Sequence, residues 1–226
     1  MAKDINNKEQ EAAEIVSKGE KFFEKNSNLI FYIVLGIIII AFGIWAYIQY
    51  VHKPKQTKAY ESLYASEAQF IEGNDSTLLN TNTITNEGIL ATIKEYKGTK
   101  AAKLGYLYAG IAYYDMGKYQ EAIDHLEKFK SSENMVAPSV VRLIGDCYVQ
   151  LDQLDKAVSY FEKAADMADN EVISPSCLIK AAHVYEHQKK YDEAIKAYEK
   201  IKNKYYTAPE AENADAEVVR ISSLKR

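Results

Sequence analysis

The chain has 226 residues, of which 47% are hydrophobic and 27% are charged, and its formal net charge is −4. That length allows one ordinary globular domain with additional segments, and an acidic balance without a basic patch argues against nucleic acid as a partner. The two cysteines are too few for a disulfide framework and lack the spacing of a metal site.

The first predicted element is an amphipathic helix within residues 1–28. Its apolar residues recur at helical spacing among lysines and acidic residues. Such a helix could lie on a membrane surface with its apolar stripe among the lipid headgroups, or it could dock on a partner. A solvated helix ending at Asn26 fits the narrow stripe equally well, so these alternatives stay open.

Residues 29–51, LIFYIVLGIIIIAFGIWAYIQYV, carry no formal charge. As a helix they would span roughly 34 Å, which is enough to cross a bilayer. The apolar run is too long for a signal peptide and no small-residue cleavage site follows it. Lysines near the two ends balance, so charge counting does not choose an orientation. Pro54 is expected to end this transmembrane helix.

A packing helix is predicted from about Gln56 to Ile71 because apolar residues recur there at helical spacing. It follows the predicted span after only a few residues, so the domain should begin close to the membrane. The predicted packing face of this helix consists of Ala59, Tyr60, Leu63, Tyr64, Ala68 and Phe70.

A loop is predicted at Gly73 to Thr85, where Asn and Thr break the periodicity. A short helix from about Glu87 to Tyr96 then closes a degenerate first pair, residues 56–97. Gly98 suits a left-handed helix cap and Thr99 suits the next N-cap.

The rest of the chain repeats itself. Tyr113, Tyr148 and Tyr185 recur at steps of 35 and 37 residues, and Ala122, Ala157 and Ala194 keep the same steps. This self-similarity predicts stacked helical pairs and an all-α fold. The predicted repeats span residues 103–135, 138–170 and 175–206, with Ser174 as the N-cap and Pro175 as the first helical residue of the last one. A final helix, residues 210–224, would cap the stack.

Small residues are predicted where the two helices of each pair cross, because close approach requires them. These are Gly110, Gly145 and Ala182 on the first helices and Ala122, Ala157 and Ala194 on the second helices. One turn beyond the alanines, Leu126, Phe161 and Tyr198 are expected to pack beside Tyr113, Tyr148 and Tyr185.

The face of each first helix that is turned away from its own second helix should form a groove for a polypeptide. Its apolar beginning suits extended or partly unfolded chains. Alternatively, Leu104 and Leu107 could simply pack on the helix of residues 87–96. The predicted groove residues are Leu104, Leu107, Ile111, Tyr114 and Asp115, then Arg142, Asp146, Val149 and Gln150, then Ile179, His183, Glu186 and His187.

An enzyme hypothesis arises from His183-Val-Tyr-Glu186-His187, which reads H-x-x-E-H, the zinc motif of inverted metallopeptidases. The segment also fits the first helix of the last repeat, so coincidence is the favoured interpretation, and we expect no metal site, catalytic residue or cofactor. A carboxylate clamp for acidic peptide ends is also disfavoured, because Leu107 and Ile111 occupy its Lys and Asn positions and only Lys180 is suitably basic.

The pattern L-G-x2-Y…A-x3-F resembles the tetratricopeptide repeat (TPR), whose unit is about 34 residues. The order of segments resembles that of the YfgM-like family of membrane-anchored TPR proteins. Two local sequences are similar to those of bacterial members: YKGTKAAKLGYLYAGIAYYDMGKYQEAIDHLEKF and VRLIGDCYVQLDQLDKAVSYFEKA. The resemblance implies a cytoplasmic amino terminus, a TPR domain outside the inner membrane, association with the Sec translocon and chaperones, and no catalytic residues. A scaffold subunit of another inner-membrane complex is the alternative.

Overall fold

The computed structural model describes residues 2–73, 75–80 and 88–225, and every regular element in these ranges is helical. The chain divides into two compact units, Met1–Pro54 and Lys55–Arg226.

The first unit contains α1 (Ala2–Tyr47) followed by a π turn (Ile48–His52). The helix continues through Asn26, so the alternative in which a helix ends at that residue is wrong. Among the described residues, one helix is long and apolar enough to cross a membrane, and none of its most apolar stretch is buried by protein. Ile40 and Trp45, for example, expose more than half of their surfaces.

Pro54 does not act as the predicted helix end, because it is the second residue of α2 (Lys53–Ile71). The π turn (Ile48–His52) directly precedes α2, and the Lys53 N–H donates to the Ile48 carbonyl. Such a turn locally changes the hydrogen-bond pattern of a helix, which accommodates the N–H group that proline lacks.

The second unit stacks antiparallel helices in chain order. After α2 come α3 (Asp75–Asn80), α4 (Gly88–Glu95), α5 (Lys100–Asp115), α6 (Tyr119–Leu126), α7 (Val136–Gln150), α8 (Leu154–Ala168), α9 (Ser174–His187), α10 (Tyr191–Lys204), a 3₁₀ turn (Pro209–Asn213) and α11 (Ala214–Leu224). Helices α5, α7 and α9 are first helices, and α6, α8 and α10 are their second helices.

The same tight turn joins the two helices of each pair. In the α5–α6 turn, the Lys118 N–H donates to the Tyr113 carbonyl over 2.8 Å and the Gly117 N–H donates to the Tyr114 carbonyl over 2.9 Å. Both bonds define a Schellman motif, which needs a left-handed residue at its centre. Gly117, Asp152 and Lys189 take that position in the three turns, with φ of 72°, 56° and 57°.

Glycines allow the helices to touch where they cross. A Cβ atom on Gly145 would lie 2.6 Å from Phe161 Cε1, and one on Gly110 would lie 2.5 Å from Leu126 Cδ2. Both residues therefore occupy the predicted crossings. Gly105 makes a further crossing that the repeat pattern did not indicate, because a Cβ there would lie 2.9 Å from Ile93 Cγ1.

The repeat tyrosines also contact aromatic neighbours that the repeat pattern did not indicate. The Tyr113 ring centroid lies 4.9 Å from that of His125, and the Tyr148 centroid lies 5.2 Å from that of Tyr160. Phe161 itself lies over Gly145. Leu126, Phe161 and Tyr198 still belong to the hydrophobic clusters on which Tyr113, Tyr148 and Tyr185 pack.

The first pair differs most from the prediction. The segment predicted as a loop at Gly73 to Thr85 contains α3, whose Leu78 and Leu79 are buried, while residue 74 and residues 81–87 lie outside the described ranges. The Asn/Thr-rich composition favoured a loop, but the segment also contains two leucines that pack into the core.

The predicted packing face of α2 is wrong in part. Ala59 and Leu63 are buried as expected, but Tyr60 and Tyr64 are 46% and 77% exposed. A hydrogen bond of 2.7 Å between the Ser62 and Thr92 hydroxyls turns a polar stripe of α2 toward α4. This rotation places the tyrosines on the surface.

The three predicted caps have different outcomes. Gly98 has φ of 86°, and the Thr99 side chain accepts a bond of 3.1 Å from the Ala102 N–H, so both predictions are confirmed. Ser174 is not an N-cap, because Ile173 holds that position. The Ser174 hydroxyl instead donates to the Ala165 carbonyl over 2.7 Å and ties α9 to α8.

Ion pairs connect the last repeat to the one before it, and the α11 end of the chain to the last repeat. Their partners lie 33 to 35 residues apart in the chain, which is one repeat. In the sequence these charged residues suggested solvated helix faces. In the structure they pair with opposite charges on the neighbouring repeat. The pairs are Lys180 with Asp146, Lys190 with Asp155, Lys200 with Asp166, Lys204 with Asp169, Arg220 with Glu186 and Lys225 with Asp192.

We predict that Gly145→Val lowers the free energy of unfolding of the Lys55–Arg226 unit by about 1 to 3 kcal/mol, because the new side chain overlaps Phe161. Urea unfolding followed by circular dichroism measures the change. Ala216→Val on exposed α11 is the control for the cost of valine in a helix. Equal losses in the two variants would contradict the close contact at Gly145.

Candidate protein-binding groove

Groove residues from three successive first helices meet in one pocket of about 260 Å³. Tyr114 of α5, Asp146 and Val149 of α7, and His183 of α9 all line it. The pocket crosses from one repeat to the next, so no single repeat could form it. Its other lining residues are Gln150, Phe161, Lys180 and Val184.

The charges in this pocket are paired with each other. Lys180 Nζ donates to Asp146 Oδ1 over 2.9 Å, and the ammonium also lies 5.8 Å from the centre of the Phe161 ring. Burial, with a further contribution from the Asp146 charge, raises the pKa of Tyr114. Tyr114 therefore remains a neutral phenol that can donate or accept a hydrogen bond.

The apolar beginning of the predicted groove is partly used by the core. Leu107 packs on the cluster that contains Ile123 and Ile144, so it serves α6 and α7 rather than the helix of residues 87–96. Leu104 packs on the cluster that contains Ile89, as its alternative interpretation expected. Ile111 is partly buried and Asp115 is exposed.

A second pocket, of about 490 Å³, lies between α2 and α5. Tyr60, Leu63 and Tyr64 line it together with Leu104. The sequence interpretation missed its two tyrosines because it assigned them to the packing face. The signal that could have found them is the serine pair Ser62 and Ser66, which marks the side of α2 that meets α4. Thr57, Glu61 and Glu67 complete the lining.

Tyr108 joins α2 to α5 beside this second pocket. Its ring centroid lies 4.7 Å from that of Phe70, and its hydroxyl donates to Glu67 Oε1 over 2.9 Å. Burial, the hydrogen bond and the Glu67 charge raise the pKa of Tyr108 to about 12. The wall of the pocket is therefore fixed by both stacking and hydrogen bonding.

At the far end, predicted groove residue Glu186 is not free. Arg220 of α11 pairs with Glu186 at 2.8 Å and with Glu217 at 2.6 Å. Only 16% of the Glu186 side chain is exposed. Ile179 packs partly on the core cluster of the last repeat, while His183 and His187 remain exposed.

This ion pair also bears on the zinc-peptidase hypothesis. Arg220 engages Glu186, the residue that an H-x-x-E-H site would use as its general base. Within the described ranges, no three His, Cys, Asp or Glu side chains are grouped closely enough to hold a metal ion. The geometry gives His183 and His187 no third ligand in that part of the chain.

Arg142 lies one turn before Asp146 on α7 and is partly buried. Burial raises the pKa of the Cys177 thiol of α9 to about 11, and the positive charge of Arg142 opposes the increase. Cys147 is also buried, and burial raises its pKa to about 12. Both cysteines are free thiols in the structure.

Residues 111–209 match the family described as SNAP, soluble NSF attachment protein. No curated protein matches the chain. A putative kinesin light chain from Podosopora anserina with nearly identical TPR-like repeats superposes with a TM-score of 0.55 at 13% identity, covering 74% of this chain and 87% of that one. A variant of that protein gives 0.53 at 14% identity, covering 74% and 86%. MamA gives 0.48 at 19% identity, covering 75% and 88%.

The predicted fold class is confirmed: the chain has an all-α, TPR-like solenoid and one long apolar amino-terminal helix. Folds of this kind are protein–protein interaction modules and are typically not enzymes.

We predict that Cys147 and Cys177 resist Ellman's reagent in the native protein at pH 8, because thiols with raised pKa values hold roughly one thiolate in a thousand or fewer. Raising the pH toward the pKa of each thiol should accelerate its labelling. In guanidinium both thiols should react at once. Rapid labelling of the native chain, or an intramolecular disulfide found by mass spectrometry, would contradict the burial described above.

Proposed function

We propose that this chain is a membrane-tethered module that binds polypeptide partners along the exposed faces of α2, α5, α7 and α9. The observation that carries the proposal is the pocket in which Tyr114, Val149 and His183 from three repeats converge. Successive repeats of a solenoid align such faces into one extended binding surface.

An extended polypeptide fits this surface better than a compact small molecule does. The two pockets lie on different helix pairs and combine aromatic, aliphatic and polar side chains. A chain that crosses several repeats can place alternate side chains in such pockets. Affinity should be modest, because ordering a flexible chain opposes the gain from its contacts.

The tether is assigned to the apolar part of α1, within residues 29–51. We place the amino terminus in the cytoplasm and the repeat unit outside the inner membrane, near the Sec translocon and its associated chaperones. Support for this location is the resemblance to the YfgM-like family. A tether near emerging chains would raise their local concentration at the groove and offset a modest affinity.

We predict that photocrosslinkers at Ile111, Val149 and His183 capture polypeptide partners in cells, whereas those at Lys128 and Lys163 on the second-helix side do not. Mass spectrometry of the crosslinked products identifies the partners. Translocon components or chaperones are expected, and subunits of one unrelated membrane complex would favour the scaffold alternative.

A variant of the groove itself tests the same surface. Ile111→Asp places a charge on the groove without changing a glycine at a helix crossing. It should reduce crosslinking from Val149 while circular dichroism stays unchanged. If Lys128 and Lys163 capture partners as efficiently as the groove positions, another surface performs the binding.

Orientation has its own prediction. Protease added to intact spheroplasts should digest the Lys55–Arg226 unit, because that unit is placed outside the membrane. An epitope at the amino terminus should stay protected until the spheroplasts are lysed. The reverse pattern of protection would place the repeats in the cytoplasm.

A further inference from the structure

The pocket between α2 and α5 holds two carboxylates in a wall that is otherwise mostly apolar. Glu61 and Glu67 line it together with Tyr60, Tyr64 and the buried side chain of Leu63. Glu61 is exposed and Glu67 is partly buried. An ionised carboxylate can only accept hydrogen bonds, so the pocket presents acceptors and negative charge to whatever enters it.

Neither carboxylate is paired with a cation. Glu67 Oε1 accepts a hydrogen bond of 2.9 Å from the neutral hydroxyl of Tyr108, and no Lys, Arg or His side chain in the described part of the chain forms an ion pair with Glu61 or Glu67. Other partly buried acids of the same unit differ, because Asp146 and Glu186 each pair with a basic side chain. The negative charge of this pocket is therefore left for a ligand.

The two tyrosines of the pocket also favour positive charge. Tyr60 and Tyr64 are one helical turn apart on α2 and are 46% and 77% exposed. The face of an aromatic ring attracts ammonium and guanidinium groups. Where the structure is described, six lysines lie over aromatic rings, and neither Tyr60 nor Tyr64 is among those rings. Rings and carboxylates thus point independently to the same kind of ligand.

We propose that the pocket between α2 and α5 binds the Lys or Arg side chain of a polypeptide partner. The proposal rests on the proposed function and names the residue type that this pocket selects. The aliphatic part of the basic side chain packs on Leu63 and Leu104, and its charged group pairs with Glu61 and Glu67.

Other side chains fit this pocket less well. An apolar side chain would remove water from Glu67 without replacing its hydrogen bonds, which is unfavourable. An acidic side chain would meet two like charges. A long basic side chain satisfies both parts of the wall, since it has an aliphatic stem for the leucines and a cation for the carboxylates. The volume of about 490 Å³ lies within the usual range of ligand pockets.

The test begins with the full chain in dodecyl maltoside micelles and a phage-displayed library of random dodecapeptides. The wild type should enrich peptides that carry a Lys or Arg. The double variant Glu61→Gln/Glu67→Gln should still select peptides but lose the preference for a basic residue. Glutamine at position 67 keeps an acceptor for the Tyr108 hydroxyl, so the contact between α2 and α5 is retained.

Synthetic peptides with acetylated amino termini then measure the pairing directly. Replacing the selected basic residue by norleucine keeps the aliphatic stem and removes the charge. This should weaken binding to the wild type by about tenfold, as loss of a charged hydrogen bond predicts. The same replacement should change binding to Glu61→Gln/Glu67→Gln by less than about twofold. Tyr64→Leu, which keeps an apolar surface without the ring, should give an intermediate penalty.

The matched control is Glu199→Gln/Glu212→Gln, which removes two exposed carboxylates outside this pocket. It should behave like the wild type with both peptides, so a general loss of negative charge is separated from the loss of Glu61 and Glu67. Thermal melts should show that every variant is folded.

The outcomes separate the two proposals. If peptides bind but carry no basic residue, or if norleucine weakens binding equally in wild type and Glu61→Gln/Glu67→Gln, the role of the pocket is refuted and polypeptide binding stands. If the library yields no peptide that binds the wild type, the proposed function fails, and this inference fails with it.

Two other occupants would also overturn the inference. Displacement of the peptide from the wild type by phosphatidylethanolamine added to the micelles would assign the pocket to a lipid amine. Self-association of the peptide-free chain that is abolished in Glu61→Gln/Glu67→Gln would assign it to a second copy of the chain. Sedimentation of both proteins in the same micelles measures this self-association.

Discussion

The close contact between the two helices of each pair is the constraint on which the repeat unit depends. At Gly145 and Gly110 the partner helix approaches so closely that a single methyl group would overlap Phe161 or Leu126. In these two pairs a side chain at the glycine position would force the partner to shift, so the contact fixes how the helices cross. Because Phe161 fills the space over Gly145, the position of the second helix and the direction of the exposed first-helix face are fixed together.

Stacking of the pairs is directed by two further devices. The Schellman turns at Gly117, Asp152 and Lys189 give every pair the same short connection. Ion pairs between residues about one repeat apart, such as Lys200 with Asp166, then align successive pairs. Exposed pairs of this kind add little stability individually. Their regular spacing matters more, since a shift in register would break all of them together.

The exposed face of the first helices results from this arrangement, and several of its charged residues are paired within the unit. Lys180 and Glu186 pair inside the unit with Asp146 and Arg220. Two pockets with aromatic side chains lie along the same set of helices.

The sequence by itself determined the helical class, the repeat period, the crossing residues Gly110 and Gly145, and an apolar stretch long enough to span a membrane, because each of these depends on local spacing or composition. Only the tertiary structure decided the rotation of α2, which exposes Tyr60 and Tyr64. It also decided the burial of Leu78 and Leu79 in α3 and the pairing of Glu186 with Arg220. Periodicity identifies which residues share a helix face, but the partner of that face is set by contacts between distant segments. Glu186 and Arg220 are 34 residues apart, and nothing local to either one specifies the other.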